Sequence, residues 1–214
     1  VTLSGIVKSI RFFEYKKERI PIKKMETVIV QQNLDPWGSS DEEVIGISAK
    51  LTKEGIDECI SVTGSKPDLI VWSEAVLSYT FPESINYYKK RPRAIPLIPF
   101  IQDMGVPFII GAPVTLDKKN KQYGNAALYF DKEGNYKGYF AKMHLVPFAE
   151  IIPGIEYEWV RNLLKKVVGI SGGWTSGKYL TMFDIPLKNA DSVKISTPIC
   201  FEDAFPAVCR PFYN

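Results

Sequence analysis

The sequence has few of the residues from which most metal sites and histidine-based active sites are built. Its 214 residues contain one histidine, His144, and three cysteines, Cys59, Cys200 and Cys209. The cysteine count is odd and no pair has zinc-ligand spacing, so we predict neither a disulfide framework nor a metal site. A Ser-His-Asp triad is also excluded unless His144 is its base. The sequence therefore favours nucleophilic chemistry without histidine, or no catalysis, and we expect no cofactor.

The sequence also lacks a strong charge of one sign. It has 27 Lys and Arg against 24 Asp and Glu, which gives a net charge of +3. Basic residues are not interleaved with aromatic ones in a nucleic-acid-binding pattern, so we expect no nucleic-acid partner. An apolar fraction of 45% and a charged fraction of 24% are ordinary globular values. The length suits one large domain.

Long apolar runs are missing too. No uncharged stretch reaches the roughly 18 residues that span a bilayer, and no signal peptide is visible. The chain begins at Val1 rather than at a methionine, and apolar residues of segment 1–10 recur at helical spacing before a basic segment, 11–24. We interpret residues 1–26 as the end of a membrane helix and a basic linker, and expect a partial chain.

Strand-like and helix-like patterns alternate along the rest of the sequence, which is typical of an α/β fold. A turn-forming segment, Lys132–Asn135, predicts a hairpin and hence a mixed sheet. Strands are predicted at Thr27–Gln31, Leu69–Trp72, Pro107–Ala112, Asn125–Asp131, Tyr136–Ala141, Tyr179–Asp184 and Ser192–Ile199, and helices at 41–60, Ala94–Met104 and Ile155–Val168.

Three reactive residues directly follow predicted strands: Glu74, Lys142 and Cys200. Active sites of open α/β folds lie at the carboxyl edge of the sheet, so these side chains are candidates for one site. A cysteine nucleophile needs a base, which Glu74 would supply, and Lys142 with the backbone N–H of Phe201 would stabilise an oxyanion. Taken singly, each also fits an ordinary role, as a surface glutamate, a surface lysine or a core cysteine.

The sequence motifs around these residues resemble those of a known family. Pro67–Glu74 (PDLIVWSE), Lys142–Glu150 (KMHLVPFAE) and Ile199–Asp203 (ICFED) resemble the glutamate, lysine and cysteine motifs of the nitrilase (carbon–nitrogen hydrolase) superfamily, in the same order. The resemblance implies a nitrilase-like α-β-β-α sandwich with a mixed sheet. It places the catalytic domain at residues 27–214, with its C-terminal part missing, because the family fold continues after the cysteine motif.

Within that superfamily the sequence resembles the apolipoprotein N-acyltransferase branch, through His144–Glu150, the Gln32–Pro36 turn and the Gly172–Gly177 loop. The resemblance implies transfer of an acyl group from a phospholipid, through a thioester on Cys200, to the α-amino group of a diacylglyceryl-cysteine at an apolipoprotein N-terminus. Glu74 would act as base and acid. The expected location is the bacterial inner membrane, with the catalytic domain facing the periplasm.

Two further carboxylates are candidates for supporting roles. Glu150 matches a glutamate of the lysine motif and is expected to position Lys142 or the incoming amine, or else to be a surface residue. Glu202 follows the nucleophile and is expected to support the site. The segment Tyr79–Tyr88 is rich in aromatic residues, and we expect it to form a lid that meets acyl chains.

Two other functions remain open from the sequence. A soluble amidase or nitrilase would use the same three residues, with water as the second nucleophile. An inactive, truncated remnant would keep part of the fold and bind at most a lipid.

Overall fold

The structure is a computed structural model that describes residues 23–34, 38–147, 150–151, 157, 173–206 and 210. It has an α/β fold. Its strands are β1 (Thr27–Val30), β2 (Leu69–Trp72), β3 (Phe108–Asp117), β4 (Gln122–Phe130), β5 (Tyr136–Ala141), β6 (Phe183–Leu187) and β7 (Ala190–Ile195). Its helices are α1 (Asp41–Thr63), α2 (Ile85–Tyr88) and α3 (Leu97–Met104), and a 3-10 helix spans Cys200–Ala204.

The main sheet has five strands in the order β1-β2-β3-β4-β5. Strands β1, β2 and β3 are parallel, whereas β4 is antiparallel to both β3 and β5. Two successive hairpins therefore turn β5 back into the direction of the first three strands. The predicted mixed sheet is confirmed, and the carboxyl ends of β2 and β5 lie at the same edge.

One face of this sheet packs against the helices. The long helix α1 begins after Ser40, whose Oγ accepts a hydrogen bond from Glu43 N at 3.3 Å, and it ends at Gly64, whose φ is 77°. Its apolar side, which includes Ile45 and Cys59, is buried against β1 and β2. The prediction that Cys59 is a core residue is confirmed, since it is 1% exposed.

The opposite face is covered by the hairpin of β6 and β7. Phe183 and Ile185 of β6 are buried against Tyr129 and Phe140 of the main sheet. Asp68, just before β2, connects this hairpin to the main sheet. Its carboxylate accepts hydrogen bonds from Glu26 N at 2.8 Å and from Lys188 N, in the β6–β7 turn, at 3.0 Å. The described residues thus form three layers, helices on sheet on hairpin.

Several predicted boundaries are wrong. Strand β6 was expected at Tyr179–Asp184, but only 183–187 alternate buried and exposed side chains over the core, and Tyr179 is 77% exposed. Strand β7 was expected to reach Ile199, but it ends at Ile195, where its partner β6 begins. Segment 1–22 and Cys209 lie outside the described residues, as does the predicted helix Ile155–Val168 apart from Tyr157, which is exposed and lies in a bend. Among the helices that the structure describes, none is long and apolar enough to cross a membrane.

The segment Tyr79–Tyr88, expected to be an exposed lid, is exposed only in part. Phe81 and Tyr88 are completely buried, and their rings stack with centroids 5.4 Å apart. The Tyr88 hydroxyl donates a hydrogen bond to Asp41 Oδ2 at 2.7 Å, at the start of α1. The rings of Phe81 and Tyr88 are therefore part of the core, whereas those of Tyr79 and Tyr87 are exposed.

Candidate active site

Glu74 lies in a tight loop that follows β2 and rests on Gly111 of β3. Gly111 N donates a hydrogen bond to Ser73 O at 3.2 Å, and Val76 N donates one to Gly111 O at 2.9 Å. A Cβ atom at Gly111 would lie 2.6 Å from Glu74 Cα, so any other residue there would displace the loop. Ser73 Oγ also donates to Gln32 Oε1 at 2.7 Å. The Glu74 backbone is thus held from two sides.

Lys142 directly follows β5, as predicted, and its side chain is 1% exposed. Its Nζ lies 2.8 Å from Glu150 Oε1 and 3.5 Å from Glu74 Oε1. Its backbone N donates to Asn125 O at 2.8 Å, which fixes it against β4. The structure therefore brings three of the predicted site residues into one cluster of charges at the carboxyl edge of the sheet.

Asn125 is a site residue that the sequence reasoning missed. It lies on β4 and is 5% exposed, and its Nδ2 donates to Glu74 Oε1 at 2.5 Å. The only signal in the sequence is a polar side chain at the start of the otherwise apolar run Ala126–Phe130. A buried polar group normally has a partner, so that signal indicates a second polar group nearby without saying which one.

The charge of Lys142 is stabilised by its surroundings. Burial by itself lowers the pKa of Lys142, but the hydrogen bond to Glu150 and the charges of Glu74, Glu150 and Cys200 outweigh burial and raise it above the ordinary lysine value. Lys142 is therefore a cation at neutral pH. The charge of Cys200 makes the smallest of these contributions.

Glu150 has both carboxylate oxygens engaged. Oε1 contacts Lys142 Nζ, and Oε2 accepts a hydrogen bond from Val146 N at 2.8 Å. The Glu150 N–H donates back to Val146 O at 2.9 Å, which closes the turn after Lys142. Of the two expected roles, the geometry supports positioning of Lys142 rather than binding of an incoming amine.

Cys200 is exposed and begins the 3-10 helix with a φ of +52°. Such a φ is rare for a residue with a side chain and marks local strain, which is common at functional sites. Within the described residues, the backbone N–H of the next residue, Phe201, has no hydrogen-bond partner. It is therefore a free donor beside the thiol, as an oxyanion site requires.

Glu202 is fully buried and links the Lys142 loop to the Cys200 turn. Its Oε1 accepts hydrogen bonds from Met143 N at 2.7 Å and His144 N at 3.1 Å, and its Oε2 accepts one from Ile199 N at 2.9 Å. One carboxylate thus holds the residues just after Lys142 against the residue just before Cys200. Its position sets the separation of those two side chains.

An open cleft of about 460 Å³ lies beside Glu150, lined by Ile151 and by residues 173–178. The lining loop is bound to the site through its backbone. Trp174 N donates to Glu150 O at 2.9 Å, and Gly177 N donates to Lys142 O at 2.8 Å.

The part of the chain that the structure describes holds no group of three His, Cys, Asp or Glu residues suited to a metal ion. The His144 ring packs on Phe205, with centroids 4.9 Å apart, and its Nδ1 has no partner among the described residues.

Comparison with known proteins gives concordant results. Residues 29–214 match the family model described as Carbon-nitrogen hydrolase. A Treponema denticola protein named Apolipoprotein N-acyltransferase 2 is 41% identical over 198 residues, which are 92% of this chain and 36% of that protein. Its namesake in Treponema pallidum is 31% identical over 91% of this chain and 38% of that protein. The chain thus spans a little over a third of the length of these curated relatives.

A solved carbon-nitrogen hydrolase from Helicobacter pylori G27 superimposes with a TM-score of 0.51 and 20% sequence identity. The match covers 86% of this chain and 54% of that one. At this level of identity it supports the fold alone, and it agrees with the nitrilase-like architecture expected from the sequence.

Proposed function

Because the chain belongs to the carbon–nitrogen hydrolase family, we propose that it is an N-acyltransferase that works through a thioester on Cys200. The observation that carries the proposal is the cluster of Glu74, Lys142 and Glu150, with an exposed cysteine whose turn Glu202 joins to the Lys142 loop. This set supplies a base, a fixed cation and a nucleophile without histidine or metal.

In the first step the Cys200 thiol transfers its proton to the Glu74 carboxylate and the sulfur attacks the carbonyl carbon of an acyl ester. The negative charge that develops on the carbonyl oxygen is stabilised by Lys142 Nζ and the N–H of Phe201. The C–O bond then breaks, Glu74 returns the proton to the departing alcohol, and a Cys200 thioester remains.

In the second step a neutral amine attacks the thioester carbon. Glu74 accepts a proton from the attacking nitrogen, the same two donors stabilise the second oxyanion, and the C–S bond breaks. The product is an amide, and the proton held by Glu74 returns to the Cys200 sulfur. Each half-reaction releases its product before the next begins, so ping-pong kinetics follow.

Two further carboxylates support this chemistry by holding other groups in place. Glu150 fixes Lys142 Nζ close to Glu74, so the ammonium group needs little reorganisation when the oxyanion forms. Glu202 fixes the distance between the Lys142 loop and the Cys200 turn. We assign both as positioning residues.

The name of the relatives supports an apolipoprotein as the acceptor of the acyl group. We propose in addition that the attacking amine is the α-amino group of an N-terminal diacylglyceryl-cysteine and that a phospholipid is the acyl donor, as the motif resemblance implies. With such substrates the catalytic domain, residues 27–214, would work at the periplasmic face of the bacterial inner membrane. Residues 1–26 would connect it to that membrane.

The test is peptide mass spectrometry of the protein after incubation with phospholipid. The expected result is a hydroxylamine-labile acyl adduct on the Cys200 peptide, absent in Cys200→Ala and discharged by a diacylglyceryl-cysteine peptide. An adduct that water discharges equally well would instead establish a hydrolase. Intact protein with a reduced Cys200 and no adduct would favour the inactive remnant.

A further inference from the structure

The hairpin of β3 and β4 ends in a basic turn that borders an exposed aromatic segment. Lys118, Lys119 and Lys121 are exposed in the turn, and Tyr123 follows at 39% exposure. Along the chain, exposed Lys178 is followed by Tyr179 and Leu180, which are 77% and 44% exposed. Lysine side chains and large apolar ones are thus mixed on one exposed surface.

A backbone hydrogen bond shows that these segments are neighbours in space. Thr175 N donates a hydrogen bond to Tyr123 O at 2.7 Å. This bond joins the segment that leads to Lys178 to the start of β4. The charge of Lys178 also lowers the pKa of Asp117, after the stronger effect of hydrogen bonds from Asn120. We call Lys118, Lys119, Lys121, Tyr123, Lys178, Tyr179 and Leu180 the hairpin surface.

The charge of the hairpin surface is not neutralised locally. Asp117 is the acidic residue of the turn, and its carboxylate is bound by Asn120 N at 3.0 Å and Asn120 Nδ2 at 2.7 Å. None of the four lysine ammonium groups lies within ion-pairing distance of a described carboxylate. The surface therefore presents unpaired positive charge.

The hairpin surface also borders the candidate active site. Tyr123 lies two positions before Asn125, which binds Glu74. Lys178 follows Gly177, whose N–H is bound to Lys142 O, and it lines the cleft beside Glu150. Whatever binds this surface is brought to the mouth of that cleft.

We propose that the hairpin surface docks on anionic phospholipid headgroups and so holds the candidate active site at the lipid–water interface. This proposal deepens the function proposed above and rests on it. Lysines attract acidic lipid headgroups, while exposed tyrosine and leucine side chains insert at the boundary of headgroups and acyl chains. The combination fits a lipid interface better than a soluble anion, which would leave Tyr179 and Leu180 in water.

The test measures binding of the whole chain to vesicles of phosphatidylcholine with about one-third phosphatidylglycerol, and to phosphatidylcholine alone, in about 0.1 M salt. We expect a preference for the anionic vesicles. The triple variant Lys118→Gln, Lys119→Gln, Lys121→Gln should lose on the order of a hundredfold in binding, since each lysine at an anionic surface contributes about fivefold. Tyr179→Ser should lose about tenfold from both vesicle types.

Matched control variants distinguish binding through the hairpin surface from binding that depends only on the total positive charge. The triple variant Lys89→Gln, Lys90→Gln, Arg93→Gln removes the same charge from exposed positions between α2 and α3, and Val62→Ser removes an apolar side chain 72% exposed at the end of α1. Both should bind the anionic vesicles as the unmodified chain does. Equal losses in the two triple variants, or no preference for anionic vesicles, would overturn the proposal.

A second readout distinguishes this proposal from the function on which it rests. The hairpin triple variant should form the Cys200 thioester at an unchanged rate from a water-soluble ester, and more slowly from an ester carried in anionic vesicles. Equal rates from vesicles in both proteins would contradict the docking role while leaving the acyl transfer intact. No thioester from either donor, with vesicle binding retained, would refute the acyl transfer alone.

Discussion

At the scale of single residues, Asn125 shows how the site fixes its base. Glu74 Oε1 is shared between Asn125 Nδ2, at 2.5 Å, and Lys142 Nζ, at 3.5 Å. The amide therefore makes the closer contact, although the lysine carries the charge. A carboxylate held by a neutral donor would keep its orientation when the Lys142 ammonium group turns towards an oxyanion, so in the proposed mechanism Asn125 positions the base.

Replacement of this amide should slow the reaction. Asn125→Leu keeps a similar volume but removes the donor, and a hydrogen bond to a charged group contributes about 1.5–3 kcal/mol. We expect Cys200 acylation to slow by roughly tenfold to a hundredfold with little change in KM for the ester, measured by mass spectrometry over time. Asn120→Leu is the matched control, because Asn120 binds the Asp117 carboxylate outside the site. An equal rate in the two variants would remove Asn125 from the positioning residues.

At the scale of an element, the loop 173–178 supports the site through its glycines. A Cβ atom at Gly177 would lie 2.8 Å from the carbonyl carbon of Ala141 and closer still to its oxygen, at the end of β5. Gly177 N is at the same time bound to Lys142 O. The loop can approach β5 only without a side chain at this position, so the glycine is a condition for the placement of Lys142.

Gly177→Ala should therefore both destabilise the protein and slow Cys200 acylation. We expect a loss of about 1–3 kcal/mol in the free energy of unfolding, measured in urea, because the loop must move away from β5. Gly46→Ala is the control, for which we expect the opposite change in stability. Gly46 lies within α1 with nothing within 4 Å of its Cβ position, so alanine there should stabilise the protein by up to about 1 kcal/mol. A Gly177→Ala protein as stable and active as the unmodified chain would contradict the close contact.

The elements also show what sequence patterns can predict. Strand β5 has the predicted limits, Tyr136–Ala141, because turn-forming residues precede it and Lys142 breaks its apolar run. The predicted bounds of β6 began too early in the chain. Tyr179 and Leu180 are typical strand residues, yet their side chains are exposed rather than packed on the core. Local pattern identifies an apolar segment, but only the tertiary fold decides whether that segment is buried.

At the scale of the whole molecule, the meeting of Glu74 and Lys142 was predictable from topology. Two hairpins restore the direction of β5, so the residues after β2 and β5 share one edge of the sheet. The order of the motifs predicts that Cys200 belongs to the same site. Asn125 and the three bonds of Glu202 were not predictable in this way, because they depend on side-chain distances between segments far apart in sequence.

Asp68 joins the layers of the molecule at the edge opposite the site. It precedes β2, whereas Glu74 follows it, and its carboxylate binds the segment before β1 and the β6–β7 turn. Asp68→Asn keeps one acceptor oxygen and loses the other, so one of the two backbone N–H groups faces an amide NH₂ group. We expect the free energy of unfolding in urea to fall by about 1.5–3 kcal/mol.

The accompanying signature should be local. Amide hydrogen exchange should become faster in β6 and β7, while Cys200 acylation of the folded protein keeps its rate, because the carboxyl edge is not disturbed. Asp103→Asn, at an exposed position in α3, is the control and should change neither quantity. Faster exchange around Lys142 rather than in the β6–β7 hairpin would contradict this prediction. It would show that the contacts of Asp68 stabilise the candidate active site and not only the hairpin layer.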